Sequence, residues 1–357
     1  MSALTIGVDA RELLGATTGV GRYLGELLAR WTVRQDANRR RFLLYTPEPL
    51  SLDLRAEQRL LPGGRGTVWE QTTLRRGVNS DRPDVFFAPA YTAPLGLRVP
   101  FVVTIHDISF TAHPEWFRWR EGTRRRVLTR RAARNAAHVI TVSEFSSREI
   151  QQRYGVSVNR ITVIPSGVTP RAGRPARREP MALYVGSIFN RRRVPDLIAS
   201  FARATADLPG ARLVIVGDNR TWPREDLAAT AASSGVADRT EVRHYVSDEE
   251  LADLYSRAAV FGFLSEYEGF GFTPLEALQA GVPIVVLDTA VAREVYGAAA
   301  TYVPKGDIDA AARALHAHLQ QPGAPSPALA QAPEVLARYS WDVAADRTLA
   351  RLEEAAR

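Results

Sequence analysis

Short apolar runs alternate with stretches of helical period along most of this chain. LTIGVDA (4–10) is the first strand-like run. The glycine loop GATTGVGRY follows, then a segment with Leu24, Leu27, Leu28 and Trp31 on one helical face. Further strand candidates in the first half are RFLLYTP, DVFFAPA, FVVTIHD, HVITVS and ITVIPSG. After Gly167 comes TPRAGRPARREP (169–180), rich in Pro and Arg and without apolar period, which reads as a linker. A second series then begins with ALYVGS, ARLVIVGD, TEVRHYV, VFGFLS and PIVVLD, and SWDVAADRTLARLEEAAR closes the chain as a helix. Strands separated by helices of about 10–15 residues predict parallel sheets covered on both faces. The fold class is therefore α/β, with two doubly wound Rossmann-like domains facing each other across a cleft. Their predicted limits are 1–168 and 181–338, joined by a linker over 169–180 and followed by a terminal helix over 339–357. Ligands of such sheets bind beyond the carboxyl ends of the strands.

Composition narrows the class. A chain of 357 residues suits two domains of roughly 150–200 residues each. It contains no cysteine, which excludes disulfides, thiolate catalysis and Cys-based zinc sites. There is no run of 18 apolar residues, and MSALTIGVDA enters a strand pattern at once rather than a signal-peptide pattern. A cytoplasmic location is expected. Residues 1–170 carry 25 arginines against 15 acidic residues, a net of +10; the remainder carries 46 − 25 = 21 basic against 39 − 15 = 24 acidic residues, a net of −3. The densest basic stretch, WFRWREGTRRRVLTRRAAR (116–134), spreads its arginines around the helical circumference and leaves no clean apolar stripe. It reads first as a solvated helix, and second as a patch for peripheral contact with an anionic membrane at its inner face. No nucleic-acid-binding motif accompanies it, so nucleic acid is not an expected partner.

The most informative segment is EYEGFGFTPLEALQAGVP (266–283). Glu268 and Glu276 flank a glycine-aromatic loop of Phe270, Gly271 and Phe272, and then a helix start. Thr273 is a candidate N-cap, Pro274 suits the first helical position, and Glu276 falls three residues after the cap. Gly271 lets the backbone approach a ligand, and free N–H groups of a first turn attract anions. A phosphate between two carboxylates that accept bonds from hydroxyls is what a nucleotide sugar requires. The plainer alternative is a capping box in which Glu276 is structural and Glu268 an ordinary loop carboxylate.

Three other segments carry candidate chemistry. GSIFNRRRVP (186–195) places Gly186 after a strand, and Arg191 and Arg192 before a helix expected from Pro195. Guanidinium forks suit bidentate binding of phosphate, although three arginines could equally form a solvated turn. In TIHDISFTAHPEWF (104–117), His106 and Asp107 end a strand on the expected cleft side. A structural hydrogen-bonding role competes there with a site role, and the spacing to His113 and Glu115 matches no strong metal motif. GVGRY (19–23) lacks the third glycine of the dinucleotide fingerprint, but its Gly21 could approach a phosphate or an acceptor.

Taken together, the string from Glu268 to Pro283 resembles the E-x(7)-E signature of family 4 glycosyltransferases, which have the GT-B fold. GSIFNRRR is similar to that family's basic pair on the donor diphosphate, with Arg192 for the usual Lys and Arg193 for the usual Asn or Gly. HPEWF, VWEQ (68–71) and VSEFS (142–146) resemble stretches of bacterial mannosyltransferases and their relatives, and HYVSDEEL resembles the segment flanking the nucleobase. The resemblance implies a retaining hexosyltransferase that moves a sugar, mannose from GDP-mannose first, from a nucleotide diphosphate donor to a glycan or lipid-linked acceptor in cell-surface glycan synthesis. It implies no divalent metal and no further cofactor, and a terminal helix that crosses back onto the first domain. On this reading Glu276 binds the ribose, and Glu268 and His106 approach the sugar. Arg191, Arg192, Gly186 and the backbone from Phe270 to Thr273 hold the diphosphate. Gly21 lies beside the donor, and Tyr245 and Val246 contact the base. A nucleotide-sugar epimerase of the same architecture and a non-catalytic nucleotide-sugar-binding protein remain as alternatives.

Overall fold

A computed structural model describes residues 3–15, 19–33, 39–51, 55–169 and 177–357. They form two compact units. The first comprises residues up to Ala112, Trp119–Gly167 and Ser340–Arg357; the second comprises His113–Arg118 and Val168–Tyr339.

The first unit is built on β1 (Leu4–Asp9), β2 (Arg40–Thr46), β3 (Glu57–Leu60), β4 (Val85–Ala88), β5 (Phe101–Thr104), β6 (His138–Thr141) and β7 (Ile161–Val163). The order is β3-β2-β1-β4-β5-β6-β7, and all pairs are parallel. β4 and β5 are buried along their whole length, which is why they read as continuous apolar runs. β3 (EQRL) is exposed throughout and stands at the sheet edge. Its polar sequence blunts that edge, and for the same reason it gave no strand signal. The Gly19–Val33 helix buries Leu24, Leu27, Leu28 and Trp31, the face its period predicts. Trp31 stacks on Phe42 and donates its indole N–H to the Ala345 carbonyl of the Trp341–Ala355 helix, 2.9 Å away. Residues 16–18 of the first glycine loop lie outside the described residues.

The second unit repeats the plan with β8 (Glu179–Val185), β9 (Arg212–Val216), β10 (Thr240–Arg243), β11 (Ala258–Phe263), β12 (Ile284–Leu287) and β13 (Ala300–Val303). The order is β10-β9-β8-β11-β12-β13, again parallel throughout. In both sheets the strand order reverses beside the first strand, at β1/β4 and at β8/β11, where the connecting helices diverge and leave a crevice. The linker-like stretch ends at Glu179 and Pro180, which open β8; residues 170–176 lie outside the described residues.

Candidate active site

Gly186 and the 3₁₀ turn Asn190–Arg192 follow β8, and Ser265 and Glu268 follow β11, so all converge on the reversal point of the second sheet. Arg192 reaches Glu268 through two donors: Nε to Oε1 at 2.7 Å and Nη2 to Oε2 at 3.3 Å. Its Nη1 donates to the Ser187 carbonyl at 2.9 Å, and Ser265 Oγ donates to Glu268 Oε1 at 2.9 Å. Gly186 adopts φ 138, and a Cβ there would meet Arg192 Nη1 at 2.5 Å. The glycine thus lets the guanidinium lie against the backbone. Arg191 stacks over the Phe189 ring at 4.4 Å, and its Nε, 4.0 Å from Glu268 Oε1, is buried without a hydrogen-bond partner. Arg191 and Arg192 do not form a solvated turn: both are sequestered, Arg191 to 9 % exposure. Burial opposes the charge of Glu268, but Arg192 and Arg191 outweigh it and hold the carboxyl below its ordinary value. Arg192, whose burial also works against its charge, is kept protonated by Glu268.

The second carboxylate is placed by the helix Phe272–Gln279. Here the local expectation needs correcting. Thr273 is not the N-cap; Gly271 is, in the left-handed region at φ 88, and no side chain caps the helix. The helix therefore starts earlier than Pro274 suggested, because a glycine tolerates the turn that a threonine resists. Glu276 is consequently not part of a capping box. It is buried, and its Oε2 accepts from the Tyr255 hydroxyl at 3.3 Å. A Cβ on Gly271 would stand 2.1 Å from the Tyr296 hydroxyl, which donates to the Gly271 carbonyl at 3.2 Å. Burial pushes the Tyr296 hydroxyl well above its usual value, and the Glu268 charge adds to this, so the loop and the Arg192–Glu268 pair share one electrostatic environment. Phe270 turns its ring onto Phe272 and Tyr339, leaving its backbone for any ligand role. Tyr245 and Val246 follow β10 at the far sheet edge, the first 80 % exposed and the second buried.

His106 and Gly21 belong to the first unit. His106 follows β5; its Nε2 lies 2.9 Å from the Pro89 carbonyl, and its ring meets Tyr23 and Tyr91 edge-on. Burial lowers its pKa, so the ring is neutral, with the proton on Nε2 because a carbonyl can only accept. Gly21 lines a groove of about 370 Å³ with Leu13, Gly25 and Ala29, rimmed by Glu12, Arg22 and Glu26. His113 and Glu115 sit in the other unit, where they pair with each other at 3.0 Å. Among the described residues no group of three or more His, Cys, Asp or Glu side chains could hold a metal ion.

The family model "Glycosyltransferase Family 4" matches residues 18–172, and "Glycosyl transferases group 1" matches residues 169–332. The chain is a family 4 glycosyltransferase. The glycosyltransferase is 28 % identical over 270 residues to O-antigen chain mannosyltransferase B of Escherichia coli, covering 70 % of this chain and 68 % of that one. It is 31 % identical over 218 residues to a glycogen synthase of Mycobacterium tuberculosis (strain CDC 1551 / Oshkosh), covering 57 % of this chain and about half, 52 %, of that relative. In fold it matches sucrose-phosphate synthase from Thermosynechococcus elongatus with a TM-score of 0.78 at 18 % identity, over 99 % of this chain and 100 % of the other. The expected pair of Rossmann-like domains and the family resemblance are therefore both met.

Some of the glycosyltransferase's supporting residues gave no sequence signal. Ser265, Tyr184, Tyr255 and Tyr296 sit in ordinary apolar contexts, and nothing local tells that their hydroxyls meet Glu268, Arg192, Glu276 and Gly271. The first unit also holds a buried cluster of Asp9, Arg11 and Glu70 at the carboxyl end of β1. Nothing in the sequence pointed to it: VWEQ entered only as a family resemblance.

Proposed function

We propose that the enzyme transfers mannose from GDP-mannose to a hydroxyl of a glycan or lipid-linked acceptor, with retention at the anomeric carbon. The bond from that carbon to the diphosphate oxygen breaks, the bond to the acceptor oxygen forms, and the acceptor proton leaves with the diphosphate. The observation that carries the reading is Arg191 Nε, buried and unpartnered beside an anchored carboxylate at the reversal point of the second sheet. A buried donor without an acceptor is costly unless a ligand supplies one. Arg192 is already committed to Glu268 and Ser187, so it contributes charge, while Arg191 contributes fresh hydrogen bonds to the diphosphate.

In this reading Glu268 orients the sugar hydroxyls and supports developing positive charge, and Glu276 binds the ribose. Gly186 and the backbone from Phe270 through Gly271 and Phe272 to Thr273 receive the phosphates. Tyr245 and Val246 flank the base, and His106 and Gly21 serve the sugar and acceptor side. Arginine charge and helix N–H groups stabilise the leaving diphosphate, usually the largest catalytic contribution in such reactions, without a divalent ion. Mannose is supported by the HPEWF and TPLEAL blocks and by the mannosyltransferase relative. A thermal-shift panel of nucleotide diphosphates tests the base, since the correct one stabilises most. Product anomeric configuration by NMR, with and without EDTA, tests retention and metal independence. Epimerised sugar formed in the absence of any acceptor would replace this reading with an epimerase.

The acceptor would be met at the inner membrane face. The Trp119–Asn135 helix exposes Arg120, Arg124, Arg130 and Arg131, together with Trp119 (76 % exposed) and Val127. Arginines around an exposed tryptophan suit an anionic lipid surface. No helix among the described residues is long and apolar enough to cross a membrane. Liposome co-sedimentation that ignores both anionic lipid and salt would remove the membrane role.

A further inference from the structure

Three charged side chains lie nearly sealed at the carboxyl end of β1: Asp9 at 2 %, Arg11 at 8 % and Glu70 at 3 % exposure. Arg11 Nη2 bridges the carboxylates, 3.0 Å from Asp9 Oδ2 and 2.6 Å from Glu70 Oε2. Such a cluster is a poor way to gain stability, since desolvating ions commonly offsets their attraction. Its geometry points instead to registry. Glu70 opens a π-helical turn (Glu70–Leu74), a feature frequent at functional sites. From there Glu70 Oε2 accepts from the Thr92 hydroxyl at 2.9 Å, while Gln71 accepts from Leu95 N at 2.9 Å and donates to the Ala93 carbonyl at 3.3 Å.

These bonds all grip one loop, the segment after β4. The same loop forms the socket of His106: Pro89 supplies the carbonyl that His106 Nε2–H faces at 2.9 Å, and Tyr91 supplies the ring against its edge. Tyr91 holds φ 63, a left-handed conformation costly for a tyrosine, which persists only where surrounding contacts over-determine it. Its amide donates to the Thr104 carbonyl, and its hydroxyl reaches Asp107 Oδ2 at 3.4 Å.

We propose that Glu70, braced by Arg11, is a positioning residue for His106, holding the Pro89–Leu95 loop so that the imidazole keeps its Nε2–H tautomer and its orientation. This rests on the reading of His106 as a sugar-side residue, so the decisive measurement is one that does not use turnover. In full-length protein labelled with ¹⁵N-histidine, long-range ¹H–¹⁵N spectra report the tautomer of each of the six histidines, and His106→Gln assigns the signal. Native protein is expected to show His106 as Nε2–H. Glu70→Ala and Thr92→Val should each mix in the Nδ1–H form, and Glu70→Gln, which keeps an acceptor for Thr92, should restore most of the native signal. In a transfer assay the first two should lower kcat about 10- to 100-fold with the donor KM unchanged. An unaltered His106 signal in Thr92→Val, whose fold is the least at risk, would overturn the proposal. An altered signal with unaltered kcat would keep the positioning role and overturn the sugar-side assignment of His106 instead.

Discussion

Arg192 Nε and Glu268 Oε1 stand 2.7 Å apart, each side chain at most 15 % exposed. A pair so enclosed is coupled: removing one partner strands the other. Arg192→Met and Glu268→Leu are each expected to lose about 3–5 kcal/mol of stability, and the double variant to recover most of that. Urea denaturation of the four proteins measures the cycle. Because the folded Glu268 carboxyl is held below its ordinary value of 4.5, its stabilising contribution is full above that pH and fades as pH falls through the folded value.

Arg191 should behave differently. Its Nε makes no hydrogen bond and stands 4.0 Å from Glu268 Oε1, which keeps its bonds to Arg192 and Ser265, so Arg191→Ala is expected to cost clearly less stability than Arg192→Met. Turnover should fall about 100- to 1000-fold, the typical loss when a donor to developing negative charge is removed. Equal losses of stability and rate would show that the side chain is structural.

Glu276 is expected to act on donor affinity. Glu276→Ala removes charge-assisted hydrogen bonds worth about 1.5–3 kcal/mol, so the Kd for the nucleotide diphosphate should rise about 10- to 100-fold. Calorimetric titration measures this, and an unchanged Kd would contradict the ribose assignment. Tyr255→Phe, which removes the hydroxyl 3.3 Å from Glu276 Oε2, should produce a smaller shift in the same direction.

At Gly271 two costs can be separated. Gly271→Ala places a Cβ 2.1 Å from the Tyr296 hydroxyl and also burdens a backbone at φ 88. Adding Tyr296→Phe relieves the first cost only, so the double variant should regain part of the lost donor binding, leaving about 1 kcal/mol or more unrecovered. Complete recovery would mean that the loop conformation itself is unimportant.

Asp9 supplies a pH test of the first unit. Burial, only partly offset by Arg11, raises its pKa from 3.8 to about 6. The folded carboxyl then holds a proton that the unfolded chain has already released, so its contribution to stability declines as pH rises from about 4 to 6 and is flat above. Asp9→Asn removes that decline. The stability of the variant relative to native protein should rise across the same window, by up to about 3 kcal/mol. A difference independent of pH would show that Asp9 ionises normally.

Much of this enzyme was legible before its structure. The buried strands β4, β5 and β11 announce themselves as apolar runs, and the leucine face of the Gly19–Val33 helix lies where its period predicts. β3 escaped because an exposed edge strand has no apolar face to reveal it, and β13, the edge strand ATYV with its two central residues half-buried, because it offers no continuous apolar run. The Thr273 cap failed for a related reason. Capping chemistry at Thr273, Pro274 and Glu276 was locally consistent, but the left-handed backbone at Gly271 and its contact with Tyr296 moved the helix start.

What the sequence determined by itself was the order of elements, the two parallel sheets and the residue types gathered at the strand ends, because hydrophobic period and glycine placement act over a few residues. Which of those groups touch was decided only by the tertiary structure. Arg192 meets a carboxylate 76 positions away, and Arg11 meets one 59 positions away. Charges so distant are brought together by packing, and burial then sets both their pairing and their protonation.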